Sequence, residues 1–194
     1  GDVILTNDPY SGGQHLPDFV AFKPVFAEGR RVAIAAAIVH HVDVGGGAPG
    51  SYFAGAREVH QEGLRLPPVK LVEAGRTNKA LIDIVRRNSR EPDKIAGDVH
   101  AQLACLEVGA AAIGRIVKRY GADVLEGAMA AILDQSEAKM LQTIAALPDG
   151  MYSFRDFVDD DGQAAVDLDV VAAVTIKGDT ASVDLSGSAD PAPG

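Results

Sequence analysis

Residues 92–121, PDKIAGDVHAQLACLEVGAAAIGRIVKRYG, decide the fold. Apolar or small residues stand at Val99, Leu103, Leu106, Ala110, Ile113, Val117 and Tyr120, in alternating steps of four and three. That spacing keeps one stripe of an α-helix facing a core. Pro92 suits the first helical turn, where its missing N–H goes unmissed, and Gly121 suits the C-terminal cap. Upstream, Leu81, Ile84 and Val85 predict a shorter helix over 78–88. Downstream, Leu125, Met129, Ile132, Ser136, Met140, Ile144 and Leu147 predict a third over about 123–147, stopped by Pro148-Asp149-Gly150. Two long helices in succession predict an antiparallel pair.

Strands are expected on both sides of this helical middle. Toward the N-terminus, residues 3–5 run into the turn-rich Asn7-Asp8-Pro9-Tyr10-Ser11-Gly12-Gly13, and chain direction recovers at 19–22. Residues 24–26, the Glu28-Gly29-Arg30 turn and the run 31–39 read as a hairpin. Its second strand is apolar at nearly every position, which predicts a central strand buried on both faces. It delivers His40-His41-Val42-Asp43 at its end, followed by a glycine-rich loop over 45–50. Toward the C-terminus, residues 152–158 and 166–176 flank the acidic turn 159–162, and Lys177-Gly178-Asp179 closes a second hairpin onto 181–186. The fold class expected is α+β, with antiparallel strand groups at both ends flanking a helical middle, as part of a larger subunit. The segments fall at 1–76, 77–148 and 149–194.

The 194 residues are 47% hydrophobic and 23% charged, in the range of a soluble globular chain. A formal charge of -9 supplies no basic footprint for nucleic acid or anionic lipid. The longest apolar run, 32–39, is far short of the roughly 20 residues a spanning helix needs. A single cysteine, Cys105, removes disulfides and thiolate zinc sites, and together with the lack of a leader-like opening this predicts the cytoplasm. Cys105 is expected to be buried and inert, while His60, His100 and the Asp98/Gln102 pair are expected to face water. The abrupt start and finish predict a segment of a longer polypeptide.

Chemistry concentrates near the first hairpin. His15 precedes Asp18 by three positions, with Pro17 stiffening the link, and His40 precedes Asp43 by the same three. Two such arms, if they converge, offer imidazole nitrogen and carboxylate oxygen without sulfur, a donor set that suits Mn, Fe, Ni or Zn better than Mg or Ca. The plainer alternative is that the histidines only hydrogen-bond and that Asp18 and Asp43 cap strand ends. Gly45, Gly47 and Gly50 match the letters of a dinucleotide fingerprint, but Pro49 and the lack of a following helix deny phosphate its seat. A loop covering the histidines is the better reading. No GxxxxGK[ST] is present, so ATP has no recognisable site here.

The strings GDVILTNDPYSGGQHLPD, VHHVDVGGGAPGS, EGLRLPPVKL, GDVHAQLAC and LPDGMYSFRDFVDDDG, in that order and over nearly the whole chain, resemble the hydantoinase B family. The family takes in N-methylhydantoinase B subunits, the C-terminal half of 5-oxoprolinases and the related subunit of acetone and acetophenone carboxylases. The resemblance implies a hetero-oligomer in which a hydantoinase A-type ATPase subunit phosphorylates a small lactam or imide and this subunit completes an ATP-dependent hydrolysis. In ketone-converting members the outcome is carboxylation at manganese. It also implies a divalent transition metal (Mn, Zn or Fe) held by His15, His40 and Asp43, with Asp18 and His41 beside it as catalytic candidates and His41 as general base. Gln14 departs from the Thr frequent in hydantoinase-type members, which leaves hydrolysis against carboxylation open.

Overall fold

The computed structural model describes residues 1–192. Packing divides them into two compact units, Gly1–Glu126 and the residues from Gly127 onward. The composition-based middle segment therefore does not stand alone: its first two helices belong with the strands before them.

In the first unit, β1 (Val3–Thr6), β2 (Asp18–Ala27), β3 (Arg30–His40), β4 (Val69–Glu73) and β5 (Arg76–Thr77) form an antiparallel sheet in the order β3-β2-β1-β4-β5. Helices α1 (Lys79–Asn88) and α2 (Pro92–Tyr120) supply the apolar partners. Alternate side chains of each strand point to one face, so Val3, Leu5, Phe19, Ala21 and Leu71 meet Leu81, Val85, Ile95, Val99 and Leu106 in one core. Pro92 opens α2 and the Gly121 N–H returns to the Val117 carbonyl, as the sequence predicts, while Asn78, expected as the first residue of the shorter helix, caps it instead by accepting a hydrogen bond from the Leu81 N–H.

Strand β3 differs from expectation. It is an edge strand, and only one face is covered: Ile34 and Ile38 are exposed, whereas Ala33, Ala35 and Ala37 are partly buried on the inner face. The alanines account for both the misreading and the packing. They score as apolar at every position, but their use on the inner face is to let α2 approach closely; a Cβ placed on Gly109 of α2 would lie 3.8 Å from the Ala35 methyl.

Helix α3 (Ala122–Ala145) follows, and beyond Ala122 none of its residues is buried. In the second unit β6 (Gly150–Asp160), β7 (Val166–Lys177) and β8 (Thr180–Asp184) pair antiparallel in that order. The Asp161 carboxylate accepts from the N–H groups of Gln163, Ala164 and Ala165, which closes the first hairpin loop as a turn with no need of a cation. Antiparallel sheets at both ends with helices between them make the chain α+β.

Candidate metal centre

The site is assembled by strand register. Glu28 and Gly29 take positive φ (54° and 77°) in the two-residue loop joining β2 to β3, so Ala27 opposes Arg30 and Phe26 opposes Arg31. A bulge then leaves Val32 without an opposite number. From there Val25 pairs with Ala33, and the ladder runs on until Asp18 opposes His40. Without the bulge, Asp18 would face Val39, and His40 would stand one place out of step with the acid. The extra residue decides which side chain meets Asp18.

His15 joins them through the loop before β2. The Asp18 N–H donates to the His15 carbonyl at 3.0 Å. Buried Asn7 donates to the carbonyls of Leu16 and Leu64 and accepts from the Leu66 N–H at 2.6 to 2.7 Å, fixing the loop from within. Asp18 Oδ1 then lies 2.7 Å from His40 Nδ1, while Oδ2 lies 3.2 Å from His15 Nδ1 and accepts the His15 backbone N–H at 3.3 Å. The two imidazoles meet edge to face with centroids 6.0 Å apart. One donor atom from each of His15, Asp18 and His40 falls within 4.8 Å of the others. The carboxylate is seated at 10% side-chain exposure, and the rings stay open at 67% and 42%. Burial works to raise the Asp18 carboxyl, but hydrogen bonds from His40 and the His15 backbone outweigh it and hold the group below its ordinary range.

The remaining two candidates go elsewhere. Asp43 is absent from this group: its oxygens take the N–H groups of Gly45, Gly50 and Arg90 and the Arg90 guanidinium, all at 2.9 to 3.0 Å. Desolvation opposes its charge, yet these donors keep the carboxyl ionised below its usual range. With every donor drawn from the protein, Asp43 organises the glycine loop, and Asp18 supplies the acid that the second arm was expected to give. His41 likewise turns inward. It is 1% exposed, its ring packs on Phe19 at 4.5 Å, and Nε2 lies 3.3 Å from Gln102 Oε1. Desolvation pushes its pKa down, favouring the neutral ring. At 1% exposure the His41 ring stands apart from the open cluster of His15, Asp18 and His40.

Four participants escape a reading of spacing alone. Tyr52 stacks on His40, its hydroxyl 3.0 Å from Nε2. Where the ring is neutral and Nδ1–H faces Asp18, Nε2 accepts and the phenol donates. Arg90 additionally reaches the carbonyls of Gly45, Gly46 and Ala48. Gln102, expected to face water, is 2% exposed and donates to the carbonyls of Phe19 and Ala37, tying α2 to β2 and β3. Asn7 has the loop role just described. Cys105 is exposed, also against expectation, because it lies off the helix stripe that faces the sheet.

The glycine loop is shaped by close approach. A Cβ on Gly46 would come within 2.6 Å of the Glu62 backbone, and one on Gly47 within 2.5 Å of the Phe53 ring. Both positions therefore require glycine, and Phe53 and Glu62 are seated by the loop. No helix among the described residues is long and apolar enough to cross a membrane.

The chain is α+β, and the start of β2, the end of β3 and the loop before them gather two imidazoles and a carboxylate at one open strand end. The sequence matches the Hydantoinase B/oxoprolinase family over residues 1–194, and the chain belongs to that family. It is 35% identical to the caprolactamase subunit beta of Pseudomonas jessenii over 183 residues, covering 94% of this chain and 32% of that protein. To the acetophenone carboxylase delta subunit of Aromatoleum aromaticum it is 32% identical over 188 residues, covering 96% and 28%. The crystal structure of the ATP-dependent caprolactamase from Pseudomonas jessenii superposes with a TM-score of 0.89 at 35% identity, covering 94% of this chain and 32% of that one. The chain thus spans about a third of the length of these relatives.

Proposed function

We propose that this chain is the site-bearing part of a B-type subunit in an ATP-dependent cyclic amidohydrolase. Its substrate would be a hydantoin, 5-oxoproline or a related lactam or imide, activated by phosphorylation on an A-type ATPase partner. The observation that carries the reading is the convergence of His15, Asp18 and His40 at an open strand end, in a chain whose relatives include an ATP-dependent caprolactamase.

The donor set fits a divalent transition metal: two imidazole nitrogens and one carboxylate oxygen, with solvent on the ring side, are what Mn, Fe or Zn accept while leaving positions open. Such an ion supplies Lewis acidity and makes water a stronger acid. The protein's own contribution is positional. Asp18 is ionised at neutral pH and orients both rings from one buried point. Tyr52 covers one side of His40 and offers a hydroxyl at the rim.

The test is the full-length protein with its ATPase partner. Lactam-dependent phosphate release and bound transition metal are expected, and both should vanish in His40→Ala. Metal content and turnover unchanged by that substitution would overturn the reading. The likeness to an acetophenone carboxylase subunit favours a second outcome, ketone carboxylation, in which ATP turnover would require bicarbonate.

A further inference from the structure

Gln102 stands in α2 where a hydrocarbon would be expected. One turn before it is Val99 and one turn after it Leu106, both sealed in the core, and Gln102 is sealed with them. A polar side chain in such a place is costly unless its polar atoms are served, and here all are. The amide nitrogen donates to the Phe19 carbonyl at 2.8 Å and to the Ala37 carbonyl at 3.3 Å. Only the nitrogen can meet two carbonyls, so Oε1 is the atom facing His41, and Nε2–H of that ring donates to it at 3.3 Å.

These partners belong to both ligand-bearing stretches. Phe19 follows Asp18 on β2, Ala37 lies three residues before His40 on β3, and His41 follows His40. The His41 N–H donates in turn to the Pro17 carbonyl at 2.8 Å, next to Asp18. Side chains alternate along a strand, so Phe19 and Ala37 pack toward α2 while Asp18 and His40 leave from the opposite face. One carboxamide therefore grips both strands from the core side, and the candidate ligands project from the other. A hydrocarbon of similar size would fill the same space; what a fully bonded amide adds is a fixed geometry.

We infer that Gln102 is a positioning residue of the metal centre, setting the separation of Asp18 and His40 through the backbones of β2 and β3. The inference rests on the reading above in taking the cluster as a metal site, and it extends that site to a residue acting from the core.

The test uses the full-length protein, first metal-free and then with Mn alone. Gln102→Leu should weaken Mn binding about tenfold, the scale of losing an outer partner. In the metal-free variant the nitrogen NMR shift of His40 Nδ1 should move, because its contact with Asp18 is no longer held. Val99→Ala opens a cavity one turn away and removes no hydrogen bond. It should lower the thermal midpoint at least as much, yet leave Mn affinity within about twofold and the His40 shift in place. Gln102→Met repeats the substitution with an unbranched chain should the leucine variant not fold. Unchanged Mn affinity and an unmoved His40 shift in a folded Gln102 variant would overturn the inference. So would equal changes in Val99→Ala, or failure of both Gln102 variants to fold. If the unmodified protein binds no Mn, the metal reading falls, while a His40 shift moved by the Gln102 substitution alone still establishes the positioning.

Discussion

Asp18 and Asp43 each follow a histidine by three positions, and each is nearly sealed from water, at 7% and 2% exposure. Their partners separate them. Asp18 spends its oxygens on two imidazoles that stay partly exposed. Asp43 accepts three backbone N–H groups and a guanidinium, a set that leaves an ionised carboxylate fully served. An identical spacing thus yields a carboxylate that aims other ligands in one arm and one that fastens a loop in the other. Spacing along the chain says which groups are available; the neighbours that reach them first decide their use.

The sharpest way to break that contrast is metal binding. Asp18→Ala should lower the affinity for Mn, Zn or Fe by more than about 100-fold, beyond what loss of an outer partner costs, whereas Asp43→Ala should retain the ion wherever the protein stays folded. Inductively coupled plasma analysis after dialysis against a weak chelator reads both. Equal losses would mean that the arms are equivalent after all.

Stability should reverse the ranking. Arg90→Ala strips the guanidinium from a buried carboxylate and frees three loop carbonyls, and should cost about 3 kcal/mol in denaturant titration. Asp18→Asn should cost less, because the rings it loses can turn to water.

The same comparison shows what the sequence could and could not tell. The helix start at Pro92 and the cap at Gly121 were legible because each is a local event: one residue, one backbone group, one turn away. The meeting of His15, Asp18 and His40 was half legible. A hairpin with a Glu28-Gly29 turn brings the two regions together, but the bulge at Val32 sets the register, and nothing in an alanine-rich run marks where a strand takes on an extra residue. Arg90 was illegible for a different reason. Its partner lies 47 positions away, and an arginine between two helices has no local signature that separates a solvated charge from a clamp. The edge position of β3 was hidden by composition, since alanine is apolar enough to look buried and small enough to be used for close packing.

A smaller effect should appear in acid. The Asp43 carboxyl titrates below its ordinary 3.8 in the folded chain, so the unfolded chain binds its proton first as pH falls. Its contribution to stability is complete above that ordinary value and is lost as pH drops from there through the folded-state value. Asp43→Asn removes the titration. Below about pH 4 the stability of the variant should fall less steeply than that of the unmodified protein, and parallel slopes in urea titrations at stepped pH would refute the assignment.

The smallest change is expected at Tyr52, where the contrast between aiming and fastening can be tested within one side chain. The ring is 72% exposed, so Tyr52→Phe forfeits little burial and removes only a hydroxyl that lies 3.0 Å from His40 Nε2. A single hydrogen bond of this kind is worth about 1 kcal/mol at most in an exposed setting, so the midpoint of unfolding should hardly move. The readout that matters is the imidazole itself. With the phenol gone, Nε2 of His40 loses its one protein partner among the described hydrogen bonds, and its nitrogen NMR shift in the metal-free protein should change while that of His15 stays put. If both shifts move together, Asp18 couples the rings so tightly that the rim hydroxyl acts on the whole cluster. If neither moves, the Tyr52 hydroxyl does not act on the rings.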